Sequence, residues 1–168
     1  MTDELQPTLE KVKQLISQTL DENRPEATAK RHKHGYRTAR ENLEDLVDVG
    51  SFVEYGQLAV AAQRNRQSSE ELQVNTAADG VITGTATINQ QLFGKDKSQA
   101  AIVIYDYSVL AGTQGFFHHQ KLDRMFQTAE DQNLPVIMYT EGGGGRPGDV
   151  DVTPTTVCLL YTSPSPRD

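Results

Sequence analysis

The spacing of apolar residues near the start of the chain is that of an amphipathic helix. Over residues 8–22 the apolar positions recur at helical intervals, with Lys and Glu between them: Leu9, Val12, Ile16 and Leu20. We expect this helix to pack on the fold or on another subunit. A second, short helix is predicted from Thr38 to about Val47, because Thr38 and Glu41 have the Thr-x-x-Glu spacing of a capping box.

Three later segments are rich in β-branched or aromatic residues, and each predicts a strand: residues 51–55, 81–88 and 100–105. A turn near residues 89–95 separates the second from the third, so we expect these two to form a hairpin or an adjacent pair. Residues 63–75 are polar and predict a mobile excursion on the surface.

The pattern returns to a helical period over residues 116–131. The predicted core stripe of this helix is Leu122, Met125, Phe126 and Ala129, and a neighbouring row carries Phe117, Lys121, Arg124 and Thr128. Residues 135–139 then predict another strand. Because strands and a helix alternate here, we expect an α/β fold with an at least partly parallel sheet.

Two glycine-bearing loops follow predicted strands, at residues 111–115 and 142–148. Glycine allows the backbone N–H groups of a loop to approach a ligand closely, as an oxyanion-binding site requires. We expect the N–H groups of the two loops to converge, with a helix N-terminus adding a favourable dipole. The alternative is a tight strand-to-helix turn that binds nothing.

Composition limits the possible function classes. The net charge of −7 argues against general nucleic-acid binding, and Cys158, as the single cysteine, excludes a disulfide or a cysteine zinc ribbon within this chain. No segment approaches the about 18 apolar residues of a membrane span, so we expect a cytoplasmic protein. The basic segment 31–37 is interpreted as solvated surface, with phosphate binding as the alternative.

Other motifs carry little signal. The chain has no dinucleotide-binding fingerprint, phosphate-binding loop or nucleophile elbow. His118 and His119 are neighbours on a helix and point about 100° apart, so we expect no metal site in this chain. Lys121 and Arg124 lie one turn apart and could reach the phosphates of a ligand, or simply form an exposed basic face.

The predicted organisation has three parts: an N-terminal helix at 1–29, an α/β domain at 30–152, and a tail at 153–168. The tail is rich in Pro, Ser and Thr where an α/β fold should continue with a helix. We expect it to be non-native or disordered, and the domain to be incomplete.

Five motifs occur together in a characteristic order: residues 37–41, 50–56, 79–84, the 111–115 loop with Lys121, and the 142–148 loop. In this order they resemble the N-terminal half of the carboxyltransferase subunit or domain of biotin-dependent acyl-CoA carboxylases, the family of acetyl-, propionyl- and methylcrotonyl-CoA carboxylases. The resemblance covers about residues 30–152. The second loop departs from the family's usual Gly-Gly-Ala-Arg-Ile-Gln-Glu-Gly pattern, which puts the acyl-chain preference in doubt.

This resemblance implies a crotonase-like fold of ββα units, truncated to its N-terminal half, and a homo-oligomer in the complete enzyme. It implies carboxyl transfer from carboxybiotin to the α-carbon of an acyl-CoA through an enolate. Biotin would be carried by a partner, the biotin carboxyl carrier, and charged by a biotin carboxylase. Carried over by position, Gly143, Gly144 and Gly145 would supply the backbone donors.

The same resemblance assigns the CoA side of the site to the first loop and the helix after it: Ala111, Gly112, Thr113, Gly115, Lys121 and Arg124. We expect the chain alone to be an inactive fragment that exposes apolar surface and aggregates. One alternative is a crotonase-like hydratase or isomerase, with Glu141 or Asp149 as its acid or base. Another is a non-catalytic module for CoA binding or assembly.

Overall fold

A computed structural model describes residues 5–151, which form a four-stranded sheet with helices on both faces. The strands are β1 (Val53–Tyr55), β2 (Val81–Thr87), β3 (Gln99–Tyr105) and β4 (Val136–Tyr139), and they lie side by side in that order. The β1–β2 and β2–β3 pairs are antiparallel, and β3–β4 is parallel. The predicted strand pair and the partly parallel sheet are therefore confirmed. The predicted tail at 153–168 lies outside the described residues.

Seven α-helices are described. They are α1 (Leu5–Ser17), α2 (Pro25–Lys33), α3 (Ala39–Leu46), α4 (Ser69–Asn75), α5 (Gln90–Phe93), α6 (Lys95–Ser98) and α7 (Phe116–Asp131). α3 begins with the predicted capping box: the Thr38 hydroxyl accepts from the Glu41 N–H, and the Glu41 carboxylate accepts from the Thr38 N–H. The predicted boundary after residue 29 falls inside α2.

The core consists of two apolar layers, one on each face of the central strands. Because side chains alternate along a strand, Ile82, Ile102 and Ile104 pack with α3 on one face. Val81 and Val103 pack with α7 on the other. β3 is buried from Ala100 to Tyr105 and therefore has an almost continuous apolar sequence.

Two details of the predicted elements need correction. Leu122, Met125 and Ala129 are buried as expected, but Phe126 is 39% exposed, because it lies at the edge of the helical stripe. The polar segment 63–75 contains a helix, α4, with a second capping box formed by Ser68 and Glu71. It is anchored by Leu72, which is 0% exposed.

Several apolar side chains remain uncovered within the described range. On α1, Leu9 is 54% exposed and Val12 is 36% exposed, so the contact predicted for this face stays a prediction. At the edge of the sheet, Val136, Met138 and Tyr139 of β4 are also exposed. None of the helices within residues 5–151 has the length and apolar character needed to cross a bilayer.

Candidate functional site

The two glycine loops meet at the ends of β3 and β4. Gly112 has a φ of +65°, and a Cβ placed on it would overlap the carbonyl oxygen of Glu141. A Cβ on Gly142 would overlap the carbonyl group of Gly112. Glycine is required at both positions because the two backbones approach each other too closely for any side chain.

Backbone hydrogen bonds join the loops beyond this contact. The Gln114 N–H donates to the Gly144 carbonyl at 2.8 Å, and the Arg146 N–H donates to the Gln114 carbonyl at 2.8 Å. A parallel bridge thus pairs Gln114 with Gly145. Since the C=O and N–H of a trans peptide point in opposite directions, the Gly145 N–H points away from the first loop.

The N–H groups of Gly143, Gly144 and Gly145 have no acceptor among residues 5–151. All three residues are exposed, and a Cβ on Gly143 or Gly144 would meet nothing within 4 Å. Among the described residues, the second loop therefore presents backbone donors without a protein acceptor, as an oxyanion site requires.

Three of the five amides of the first loop already have acceptors within the fold. The Gly112 N–H donates to Val109 at 2.9 Å and the Thr113 N–H donates to Leu110 at 3.2 Å, while the Gln114 N–H reaches the second loop. These groups close a turn and join the loops, so they are not available to a ligand. The loops come together in space as predicted. Within residues 5–151, the amides of Ala111 and Gly115 on the first loop lack an acceptor, as do those of Gly143, Gly144 and Gly145 on the second.

A buried charged cluster lies beneath the loops, formed by Asp79, Arg146 and Asp149. Arg146 is 8% exposed and forms an ion pair with Asp79, which is 0% exposed. Its Nη2 donates to the Thr113 carbonyl at 2.6 Å. Asp149 Oδ2 lies 3.7 Å from Arg146 Nη1. The residue that follows the glycine run is therefore anchored in the interior.

The N-terminus of α7 is capped by the two carboxylates of this cluster. Asp149 accepts from the Phe116 N–H at 2.8 Å, and Asp79 accepts from the His118 N–H at 2.7 Å. The helix dipole is thus neutralised by protein groups, and the expected contribution of this N-terminus to ligand binding is corrected.

His118 is fully buried against the edge of the Tyr105 ring. Its Nδ1 lies 3.1 Å from the Asp79 backbone carbonyl, which can only accept, so we assign the proton to Nδ1. Burial lowers the pKa of His118 to about 3, so the ring is neutral. Within residues 5–151 there is no group of three or more His, Cys, Asp or Glu placed to hold a metal.

Lys121 lies inside the fold and not on an exposed basic face. Its Nζ donates to the carbonyl of Ala78 at 2.7 Å and to that of Val81, and its aliphatic stem packs on Gly56. Burial lowers the pKa of Lys121 to about 8. The helical spacing of Lys121 in the sequence does not predict its burial, because the carbonyls that its ammonium satisfies belong to a turn far away in the chain. Arg124, by contrast, is exposed.

A cavity of about 790 Å³ lies beside the two loops. Its lining combines basic, aromatic and small side chains: Ala27, Lys30, Arg31, His34, Tyr36, Tyr107, Ser108, Leu110, Ala111 and Glu141. Ala111 belongs to the first loop and Glu141 directly precedes the second. The cavity is therefore continuous with the loop pair, and part of its wall is the basic segment that the sequence left open as a phosphate site.

Arg31 connects this wall to the second loop. Its guanidinium donates to both carboxylate oxygens of Glu141 at 2.8 Å and lies 5.1 Å and 5.5 Å from the ring centroids of Tyr36 and Tyr107. Both carboxylate oxygens of Glu141 are thus engaged by Arg31, and Asp149 is buried as a helix cap. In this arrangement neither carboxylate is free to serve as the acid or base that a hydratase would need.

Residues 30–155 match the family model described as "Carboxyl transferase domain". The propionyl-CoA carboxylase beta chain of Cereibacter sphaeroides is 34% identical over 116 residues, which cover 68% of this chain and 21% of that protein. The chain spans about a fifth of the length of the first curated relatives it matches.

Solved structures of acyl-CoA carboxylases and related enzymes have the same fold over this part of the chain. A single-chain, multi-domain long-chain acyl-CoA carboxylase superposes with a TM-score of 0.84 at 53% identity, over 92% of this chain and 15% of the other. Transcarboxylase 12S, at 24% identity, superposes with a TM-score of 0.69 over 96% of this chain and 28% of the other, and supports the fold alone. The fold is crotonase-like, as expected, and the chain belongs to the carboxyl transferase domain family.

Proposed function

We propose that this chain is the N-terminal part of a carboxyltransferase in a biotin-dependent acyl-CoA carboxylase. The observation that carries the proposal is the exposed run of N–H groups at Gly143, Gly144 and Gly145, which have no acceptor within residues 5–151 and lie beside a large cavity with a basic wall. The family match and the 53% identity to a long-chain acyl-CoA carboxylase support it.

In the proposed reaction, the thioester carbonyl oxygen of an acyl-CoA accepts hydrogen bonds from the N–H groups of this run. Negative charge on that oxygen increases when the α-proton leaves and an enolate forms, so fixed donors stabilise the transition state more than the ground state. Carboxybiotin on a carrier would supply the carboxyl group that the enolate α-carbon receives, and the biotin left behind would take up the α-proton. Backbone donors need no reorganisation, because the Gln114 hydrogen bonds already hold the loop.

The cavity wall supports a location for the CoA. Lys30 and His34 line it and are exposed, and Tyr36 and Tyr107 offer aromatic faces. Cations beside aromatic rings suit a ligand that carries phosphates and an adenine. Of the first loop, Ala111 and Thr113 remain proposed as the CoA side, with Ala111 in the wall of this cavity, whereas Gly112 and Gly115 are buried.

Two exposed cations test which surface takes the phosphates. Lys30→Ala should weaken acyl-CoA binding by ~5- to 10-fold, with the loss shrinking at high salt, because a phosphate contact is screened there. Arg124→Ala, on α7, removes the same charge away from the cavity lining and should leave the affinity unchanged. The reverse result, measured by calorimetry on the whole chain, would place the phosphates along α7.

The proposed reaction is tested by grafting residues 30–151 in place of the matching segment of the long-chain acyl-CoA carboxylase that is 53% identical. We expect this grafted carboxylase to carboxylate an acyl-CoA in a biotin-dependent reaction, with the same enzyme carrying its original segment as control. A graft that binds acyl-CoA but transfers no carboxyl group would instead support a non-catalytic CoA-binding module.

A further inference from the structure

The ion pair of Asp79 and Arg146 is the most deeply buried one among the described residues, with side-chain exposures of 0% and 5%. It joins two parts of the chain that are far apart in sequence. Arg146 directly follows the glycine run, and Asp79 lies in the turn Ala77–Gly80 that leads into β2. The glycine loop is thus held by a residue of the turn that precedes β2.

The turn that carries Asp79 has an unusual backbone. Ala78, Asp79 and Gly80 all have positive φ, at +52°, +48° and +73°. The left-handed region is unfavourable for residues with a Cβ, so two of these three positions carry a cost of about 1 kcal/mol or more. Lys121 stabilises the turn by donating to the carbonyls of Ala78 and Val81.

The strained turn points the Asp79 carboxylate into the interior, where both oxygens have partners. Oδ1 accepts from the Arg146 guanidinium, and Oδ2 accepts from the His118 N–H at 2.7 Å. Burial raises the pKa of the Asp79 carboxyl, and the guanidinium of Arg146 opposes that rise. One carboxylate therefore fixes both the start of α7 and the residue after the glycine run.

The guanidinium of Arg146, which Asp79 holds in place, in turn fixes the positions of both loops. It donates to the Thr113 carbonyl at 2.6 Å and to the Thr113 hydroxyl at 3.3 Å, so it holds the first loop as well. A Cβ at Gly143 or Gly144 would have no neighbour within 4 Å. The position of the free amides therefore depends on the groups that anchor the two ends of the run.

We propose that Asp79 is a positioning residue for carboxyl transfer, which acts through Arg146 to hold the amides of Gly143, Gly144 and Gly145 where the enolate oxygen forms. This inference rests on the proposed function. A displacement of an oxyanion donor by less than 1 Å lowers kcat more than it alters substrate binding, because the charge develops only in the transition state.

In the grafted carboxylase, Asp79→Asn and Arg146→Ala should each lower kcat by ~10²-fold while KM changes by less than about 3-fold. The double variant should be no slower than either single variant, because both act through one contact. Guanidinium ion added at millimolar concentration should partly restore kcat to Arg146→Ala but not to the double variant, which lacks the carboxylate that would bind it.

The matched control is Glu54→Gln. Glu54 and Arg40 form another buried ion pair, with two contacts at 2.5 Å and 3.0 Å and side-chain exposures of 9% and 10%, between β1 and α3. Its loss should lower stability by an amount similar to that in Asp79→Asn but leave kcat within about 3-fold. Losses that multiply in the double variant, or a Glu54→Gln enzyme as slow as Asp79→Asn, would overturn the proposal.

Two further measurements keep the inference testable. If Asp79→Asn does not fold, Arg146→Lys keeps the charge beside Asp79 but removes the fork to Thr113, and it should still lower kcat by ~10-fold. If the unaltered graft transfers no carboxyl group, hydrogen exchange measured on the full chain tests whether Arg146 holds the two loops in place. The amides of Gln114 and Arg146, which join the loops, should exchange at least ~10-fold faster in Arg146→Lys than in Glu54→Gln, and equal rates would contradict the positioning role.

Discussion

Gly112 and Gly142 lie so close together that a Cβ on Gly142 would overlap the carbonyl oxygen of Gly112. This contact brings the loop after β3 against the loop after β4. The Gly112 and Thr113 amides close the turn of the first loop, whereas the amides of Gly143, Gly144 and Gly145 on the second have no acceptor among residues 5–151.

Replacement of Gly112 by alanine tests this contact. Gly112→Ala should lower the free energy of unfolding by roughly 2–4 kcal/mol, because it adds left-handed strain and a backbone overlap. Gly35→Ala is the control: its φ is +77° but the space around a Cβ there is empty, so it should cost only about 1 kcal/mol. Denaturant unfolding of the full chain measures both, and equal losses would mean that the loops do not meet as described.

His118 should make the fold sensitive to acid. In the folded state its pKa is lowered from the ordinary histidine value of 6.5 to about 3, so between these values the unfolded chain binds the extra proton. Stability is therefore full above pH 6.5 and falls as the pH drops, by about 2 kcal/mol between pH 7 and pH 5. His118→Gln should have a shallower pH dependence over this interval, and an unchanged slope would show that other groups cause the loss.

The two capping boxes offer a graded test of helix stability. Ser68→Ala on exposed α4 should cost about 1 kcal/mol, as is typical of an N-cap. Thr38→Ala should cost more, up to about 2 kcal/mol, because the Thr38 hydroxyl also donates to Asp21 at 2.5 Å and is 6% exposed. Thermal or denaturant unfolding compares them, and a smaller loss at Thr38 would argue against the contact with Asp21.

Local patterns predicted the elements that local forces determine. The helix predicted at 116–131 is observed as Phe116–Asp131, since its apolar stripe and the preceding Gly115 are visible in the sequence. The Ser68–Glu71 capping box was visible too, yet the polar composition around it obscured α4. The meeting of the two glycine loops followed from their positions after neighbouring strands.

The buried polar contacts were not predictable in the same way. Nothing near Lys121 in sequence indicates that its ammonium satisfies carbonyls in the turn at Ala77–Gly80. Likewise, the pairing of Asp79 with Arg146 spans 67 residues, and no periodicity reports it. Such contacts depend on which elements the sheet brings together. For the same reason, the sequence alone did not predict that α2 forms the basic wall of the cavity.

Turnover by a Gly143→Val variant of the grafted carboxylase tests the central claim most directly. Gly143 has no positive φ and has no neighbour within 4 Å of a Cβ, so valine fits without strain and should leave the melting temperature unchanged. If the amides at 143–145 hold the enolate oxygen, the branched side chain blocks access to them and kcat should fall by ~10²-fold or more, with a modest loss of acyl-CoA affinity. A folded Gly143→Val enzyme that carboxylates at the unaltered rate would contradict the assignment of this loop as the oxyanion site.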